Sequence, residues 1–200
     1  MGHGRDVTLF DRFASAYERA MPAADRATLE AGLSRATRPI ERVLDVGGGT
    51  GRASRALTAT ERIVVDAARG MLVEARTHGL DVAQGDATRL PVATDSVDAV
   101  VIVDALHHMP NHRSVVREAA RVVRPGGVVV IREFNPETLR GGALVALERL
   151  VGFDSTFDTP HELAGLVKAA GLEPTVPETG FGYTIVGVAT ENDSPIIEER

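Results

Sequence analysis

Apolar positions along the chain switch repeatedly between a helical and an extended rhythm, which predicts an alternating α/β fold. Residues 5–37 read as helical. Phe10, Phe13, Ala14 and Tyr17 fall at i, i+3, i+4 and i+7, one apolar stripe ahead of the break at Met21-Pro22. Residues 42–46 form a short apolar run that ends in glycines, as a buried strand does. A helix at 52–59, a strand at 62–66, a helix at 70–78 and a strand at 80–84 continue the alternation. Residues 96–104 carry Val97, Val100, Val101, Ile102 and Val103, the density of a central strand covered on both faces.

Asn111 is placed to cap a helix over 112–123, which Pro125-Gly126-Gly127 stops. A fifth strand at 127–134 and an apolar helix at 137–151 follow. Thr159-Pro160-His161-Glu162 holds both a capping box and a proline at the first helical position, so a helix should run to Ala170. Two last extended runs, 172–176 and 181–190, are joined by a Pro/Gly turn and predict a hairpin at the sheet edge. Residues 191–200 are polar and expected to fray. Without a repeat or linker, 1–190 reads as one domain: helices over 1–38, a core over 40–134 and a final part over 135–190.

Composition narrows the chemistry. The chain has 200 residues, 44% apolar and 25% charged, and no stretch apolar enough to span a bilayer. Its start has no apolar core behind the charge, so no signal peptide is expected and a cytoplasmic location is. The absence of cysteine excludes disulfides, thiolate nucleophiles and thiolate metal sites. A net charge of −6 argues against a nucleic-acid partner. All but one of the 22 basic residues are arginine, Lys168 being the exception, a bias that fits a GC-rich genome better than a binding function.

The informative stretch is Val43-Leu-Asp-Val-Gly-Gly-Gly-Thr-Gly-Arg52. Gly47, Gly49 and Gly51 stand between a strand and a helix, where glycine lets the backbone turn sharply and approach a ligand. The helix start offers N–H groups to a negative ligand group such as a carboxylate. A nicotinamide site would need G-x-G-x-x-G, but Arg52 occupies the third glycine position, and Asp45 sits in a strand that should be apolar throughout. No Gly-Lys-Ser/Thr ends the loop, so a P-loop is excluded as well.

Asp45-Val-Gly-Gly-Gly-Thr-Gly51 resembles the D-x-G-x-G-x-G motif of class I S-adenosylmethionine-dependent methyltransferases, and the resemblance continues in order over about 40–134. Asp66 closes the second strand, where the family's acid holds the ribose hydroxyls. Ala67 and Met71 resemble the residues that pack on the adenine. Gly85-Asp86-Ala87 and Leu90-Pro91 resemble the third-strand motif, whose Asp meets the adenine amino group. Asp104-Ala-Leu-His-His108 ends the fourth strand, and Glu118 to Gly127 resembles the helix and turn before the fifth. The resemblance implies a three-layer, seven-stranded, mostly parallel sheet with an antiparallel last strand. It also implies S-adenosylmethionine held by Tyr17, Asp45, Gly47, Gly48, Gly49, Gly51, Asp66, Ala67, Met71, Asp86, Ala87 and Asp104.

Within that superfamily the sequence lacks the Asn/Asp-Pro-Pro-Tyr/Phe motif of amino-methylating DNA enzymes and the cysteine of pyrimidine C5 enzymes. The opening Leu9 to Glu18 and the run Glu133-Phe134-Asn135-Pro136 resemble the ubiquinone/menaquinone C-methyltransferases, although that group's basic-aromatic element finds no match at 21–30. The expected acceptor is therefore a small apolar or aromatic molecule, a quinone precursor among the candidates. The alternatives are a cofactor-binding regulator without turnover and an enzyme acting on nucleic acid. His107 and His108 stand at the carboxyl end of the fourth strand, where ligands bind in open α/β sheets, and are the candidate bases. No metal site is expected. The apolar side chains of 137–151 leave three roles open: a substrate cap, a homodimer contact or packing on the sheet.

Overall fold

The structure is a computed structural model that describes Val7, Thr8, Asp11 and residues 24–190. Its strands are β1 (Arg42–Val46), β2 (Glu61–Asp66), β3 (Asp81–Gln84), β4 (Val97–Val103), β5 (Val123–Phe134), β6 (Leu172–Glu178) and β7 (Gly182–Ala189). They form one sheet in the order β3-β2-β1-β4-β5-β7-β6. Neighbouring strands pair in parallel from β3 through β5, while β7 runs antiparallel to both β5 and β6. The α/β sheet expected from the resemblance, with its reversed last strand, is the one observed.

Between the strands lie α1 (Arg26–Leu33), α2 (Arg52–Ala56), α3 (Arg69–Thr77), α4 (His112–Val122), α5 (Leu139–Val151) and α6 (Pro160–Ala169). Alternation along each central strand sends side chains to both layers. Leu44, Val100, Ile102, Val129 and Ile131 pack under α4 and α6, against Val115, Val116, Leu163 and Val167. Val43, Ala99, Val101, Val128 and Val130 face the other way, onto Leu29 of α1 and Ala53 of α2. Leu72 and Ala75 of α3 cover Val64 of β2. Burial of both faces explains why these strands read as unbroken apolar runs rather than as alternation.

Several boundaries moved. Of the stretch expected to be helical, the described residues Val7, Thr8 and Asp11 are helical and so is Arg26–Leu33, capped by Asp25, while Phe10, Phe13, Ala14 and Tyr17 lie outside the described residues. The helix expected over 52–59 stops at Ala56, because Leu57 turns extended and is buried. Strand β5 begins at Val123 rather than 127. Its register against β4 jumps from Val97↔Val123 to Ala99↔Val128, and residues 124–127 loop around the single residue Asp98. Gly127 is forced there, since a Cβ would lie 2.4 Å from the Asp98 carbonyl oxygen. The cap at Asn111 and the capping box at Thr159 and Glu162 form as the sequence predicts.

Helix α5 does not pack on the sheet. Its only buried residue is Gly141, while Leu139 is 96% and Leu150 84% exposed. No helix of the described residues is long and apolar enough to cross a membrane.

Candidate active site

The strand order reverses direction at β1 and β4, which puts the crevice for a ligand at their carboxyl ends. A cavity of about 570 Å³ opens there. Its floor is the loop after β1, including Gly47, Gly48 and Gly49. Gly49 has φ +55°, and a Cβ built on it would meet nothing closer than the Met71 sulfur at 3.8 Å, so its bare face is open to the cavity. Gly51 differs from the expectation. It has φ +82° and caps α2, and a Cβ there would lie 2.2 Å from Leu80 Cδ1, so it serves close packing and does not line the cavity.

Four aspartates reach the cavity wall from four strand ends. Asp45 is fully buried, and its Oδ2 accepts from the Ser54 backbone N–H at 3.0 Å and from its hydroxyl at 2.8 Å. Its Oδ1 has no hydrogen-bond partner. Burial pushes the carboxyl up to about 6, against the pull of the Ser54 bonds. Asp66 accepts from the Gly49 N–H at 2.9 Å and the Ala68 N–H at 2.8 Å, tying the glycine loop to the end of β2, and burial raises it too. Asp86 accepts from the Thr88 N–H and hydroxyl, both at 2.8 Å. Asp104 takes a left-handed backbone at φ +51° and meets the Arg132 guanidinium at 3.0 Å. Burial nonetheless raises Asp104, with Glu133 adding to the rise and Arg132 opposing it.

The apolar lining comes from Ala67, Ala68, Met71, Ala87 and Met109, together with Val7, which packs on Ala68 and Met71. Among the described residues Arg52 is the one arginine or lysine on the wall. Of the expected cofactor set, only Gly51 is directed elsewhere, and Tyr17 lies outside the described residues.

The two histidines differ. They share a short 3-10 turn, Leu106–His108, at the end of β4, but only His108 lines the cavity. Its Nδ1 lies 3.2 Å from the Ser155 hydroxyl. His107 is buried behind it, with Nδ1 2.6 Å from Glu133 Oε2 and its ring stacked on Phe157 at 4.6 Å. Burial disfavours the charged ring, but Glu133 and then Glu148 outweigh it and hold His107 protonated above its ordinary range. A ring buried away from the cavity and locked onto a carboxylate is out of reach of a bound acceptor, so the expectation that treated the pair alike does not fit this geometry.

Glu133 is the centre that sequence reasoning missed. Its Oε1 accepts from the N–H groups of Ala105 at 3.0 Å and Leu106 at 2.6 Å, which fixes the turn that carries both histidines. Burial alone would raise Glu133, yet His107 and these backbone donors hold it below the usual carboxylate range. The available signal was the acid that opens the run Glu133-Phe134-Asn135-Pro136 at the carboxyl end of β5.

Residues 44–131 match the methyltransferase domain family. The fold is that of the class I, Rossmann-like methyltransferases. A crystal structure described as an S-adenosylmethionine-dependent methyltransferase, possible histamine N-methyltransferase, from Thermotoga maritima superimposes with a TM-score of 0.76. That alignment covers 92% of this chain and 99% of the other at 24% identity. A demethylmenaquinone methyltransferase of Beutenbergia cavernae is 38% identical over 154 residues, 74% of this chain and 59% of the relative. One from Mycobacterium sp. (strain KMS) is 39% identical over 115 residues, 56% of this chain and 50% of the relative. The chain thus spans between half and three-fifths of the length of these relatives.

Proposed function

We propose that the protein transfers a methyl group from S-adenosylmethionine to a small aromatic acceptor of the quinone-precursor type. The charge of the cavity carries this reading. Among the described residues the cavity wall holds Asp45, Asp66, Asp86 and Asp104 against Arg52 alone, with Arg132 pairing Asp104 from outside the wall. Such a wall favours a ligand bearing a sulfonium and an ammonium and repels the pyrophosphate of a dinucleotide. The residues present fit the cofactor's other parts. Asp66, with two acceptor oxygens at a strand end, suits adjacent ribose hydroxyls, and Asp86 with Ala87 suits the adenine edge. Met71 and Ala67 supply an apolar face, and the open side of Gly49 admits a close approach.

The sulfonium methyl arrives already activated, so the chain's work is to align an acceptor and exclude water. His108 is the polar side chain that would meet the acceptor. His107, locked between Glu133 and Phe157, positions the turn. Val7 contributes to the wall, and we extend the same role to Tyr17, whose ring would close over the cofactor. The relatives named demethylmenaquinone methyltransferase support a hydroquinone as the acceptor class.

The test is turnover with labelled S-adenosylmethionine against hydroquinones, catechols, fatty acids, amines, RNA and DNA. Label in an aromatic small molecule, with release of S-adenosylhomocysteine, is expected. Cofactor binding without any product would mark a regulator instead, and label confined to nucleic acid would overturn the acceptor class.

A further inference from the structure

We infer that His107, His108 and Glu148 form a binding site for a divalent first-row transition-metal ion of the zinc type, at the edge of the cavity where His108 meets its wall. Sequence alone gave no hint of it, because Glu148 comes from α5, some 40 residues beyond the histidines. One potential ligand atom from each residue lies within 4.8 Å of the other two. His107 Nε2 stands 3.7 Å from Glu148 Oε1. That is too long for a good hydrogen bond. It is close to the separation of roughly 3.4 Å between two ligands on one tetrahedral ion with bonds of about 2.1 Å.

Two further observations point to a cation. The Glu148 Oε2 atom is buried and has no hydrogen-bond partner, although α5 otherwise faces solvent. An acceptor left so is costly unless something positive meets it. Meanwhile Glu133 holds His107 Nδ1 at 2.6 Å, which turns Nε2 toward Glu148. A carboxylate on the far nitrogen is the usual support of a metal-binding histidine, and the arriving ion would displace the Nε2 proton to solvent. The Phe157 stack and the contact of His108 with the Phe153 ring at 5.2 Å restrain both imidazoles.

Two histidines and a carboxylate leave coordination positions open, and of the three residues His108 lines the cavity, so an acceptor bound there would reach the ion from the His108 side. A hydroxyl oxygen bound there would lose its proton to solvent more readily. This role rests on the methyl-transfer reading, whereas the binding of the ion does not.

The test is titration of metal-free protein with Co²⁺, followed by visible absorption and then by Zn²⁺ displacement. One equivalent should give the absorption of a four- or five-coordinate ion, and Zn²⁺ should abolish it. Glu148→Gln and His108→Asn should each weaken binding at least tenfold while the far-ultraviolet dichroism stays unchanged. No saturable spectrum up to millimolar Co²⁺ would overturn the site, as would a spectrum that survives in both variants. Methyl transfer measured with and without Zn²⁺ separates the two readings. Metal-independent transfer overturns the role of the ion, and binding without transfer to any acceptor counts against the methyl-transfer reading alone.

Discussion

Replacing Asp45 by asparagine should change how stability depends on pH, and the structure sets the size of the change. The carboxyl is fully buried and titrates at about 6 in the folded chain, against 3.8 for the ordinary group. The folded state therefore holds its proton more tightly than the unfolded state does. That contribution to stability is complete below pH 3.8 and is lost as pH rises through about 6. Converting the gap at about 1.4 kcal/mol per pH unit gives about 3 kcal/mol lost across the window. Asparagine keeps an oxygen for the two Ser54 donors but cannot ionise, so it escapes the loss. Its amide N–H groups would occupy the place of the unpartnered Oδ1 and add a cost of about 1–3 kcal/mol that does not vary with pH. The diagnostic quantity is thus a slope. Urea unfolding of both proteins from pH 4 to 8 should show the variant gaining on the parent between pH 4 and 6, then running level with it. A difference that stays constant from pH 4 to 8 would refute the argument that burial governs Asp45.

Other substitutions probe separate parts of the structure. Asp98→Ala should cost about 1–3 kcal/mol in urea unfolding, because it leaves its partners, two part-buried guanidinium groups and two backbone N–H groups, without their acceptor. Those partners are Arg124 at 2.8 Å, Arg38 at 3.1 Å and the N–H groups of Glu41 and Arg42, and a loss under 1 kcal/mol would show the cluster to be dispensable. Gly51→Ala should cost about 1–3 kcal/mol, from the overlap with Leu80 and the strained backbone. A Leu80→Ala background should remove only the overlap, and full additivity of the two changes would deny that they touch. Asp66→Ala should weaken S-adenosylmethionine by about 1–3 kcal/mol in calorimetric titration, and unchanged affinity in a folded variant would place the ribose partner elsewhere.

What could be read beforehand was local. Strand β1 was predicted at its observed ends, because a β-branched apolar run met a glycine turn within a few residues. The cap at Asn111 and the capping box at Thr159 were equally self-contained. What could not be read depended on partners distant in the chain. The sequence assigns Asp98 no role, and its meaning comes from Arg124 and Arg38 and from the loop that β5 makes around it. His107 and His108 are neighbours in sequence, yet a tight turn sends one into the core and the other to the cavity. The apolar stripe of α5 was visible, but periodicity says only that side chains share a face. It took the close approach of Gly141, where a Cβ would lie 1.8 Å from the Asn135 carbonyl oxygen, to show which side of the helix is inside.

The two ends of the sheet show why the acids at one end are available for a ligand. Asp98 and Asp104 lie on or just after the same strand, six residues apart and therefore toward the same face. At the amino end Asp98 is 3% exposed, and burial would raise it. The Arg42 N–H and the Arg124 guanidinium more than reverse that, so it is held below its ordinary value and satisfied within the fold. At the carboxyl end Asp45, Asp66 and Asp104 are all raised, because burial there outruns the donors supplied by the chain. Carboxylates that the fold itself satisfies have little to offer a ligand. Those left short of positive charge gain most when a cation arrives, since its field both favours their ionised form and returns what burial cost. The deficit lies where the strand order reverses, so topology and electrostatics select the same cavity independently. It is this agreement, more than any single glycine or aspartate, that supports the proposal of a positively charged cofactor in the cavity.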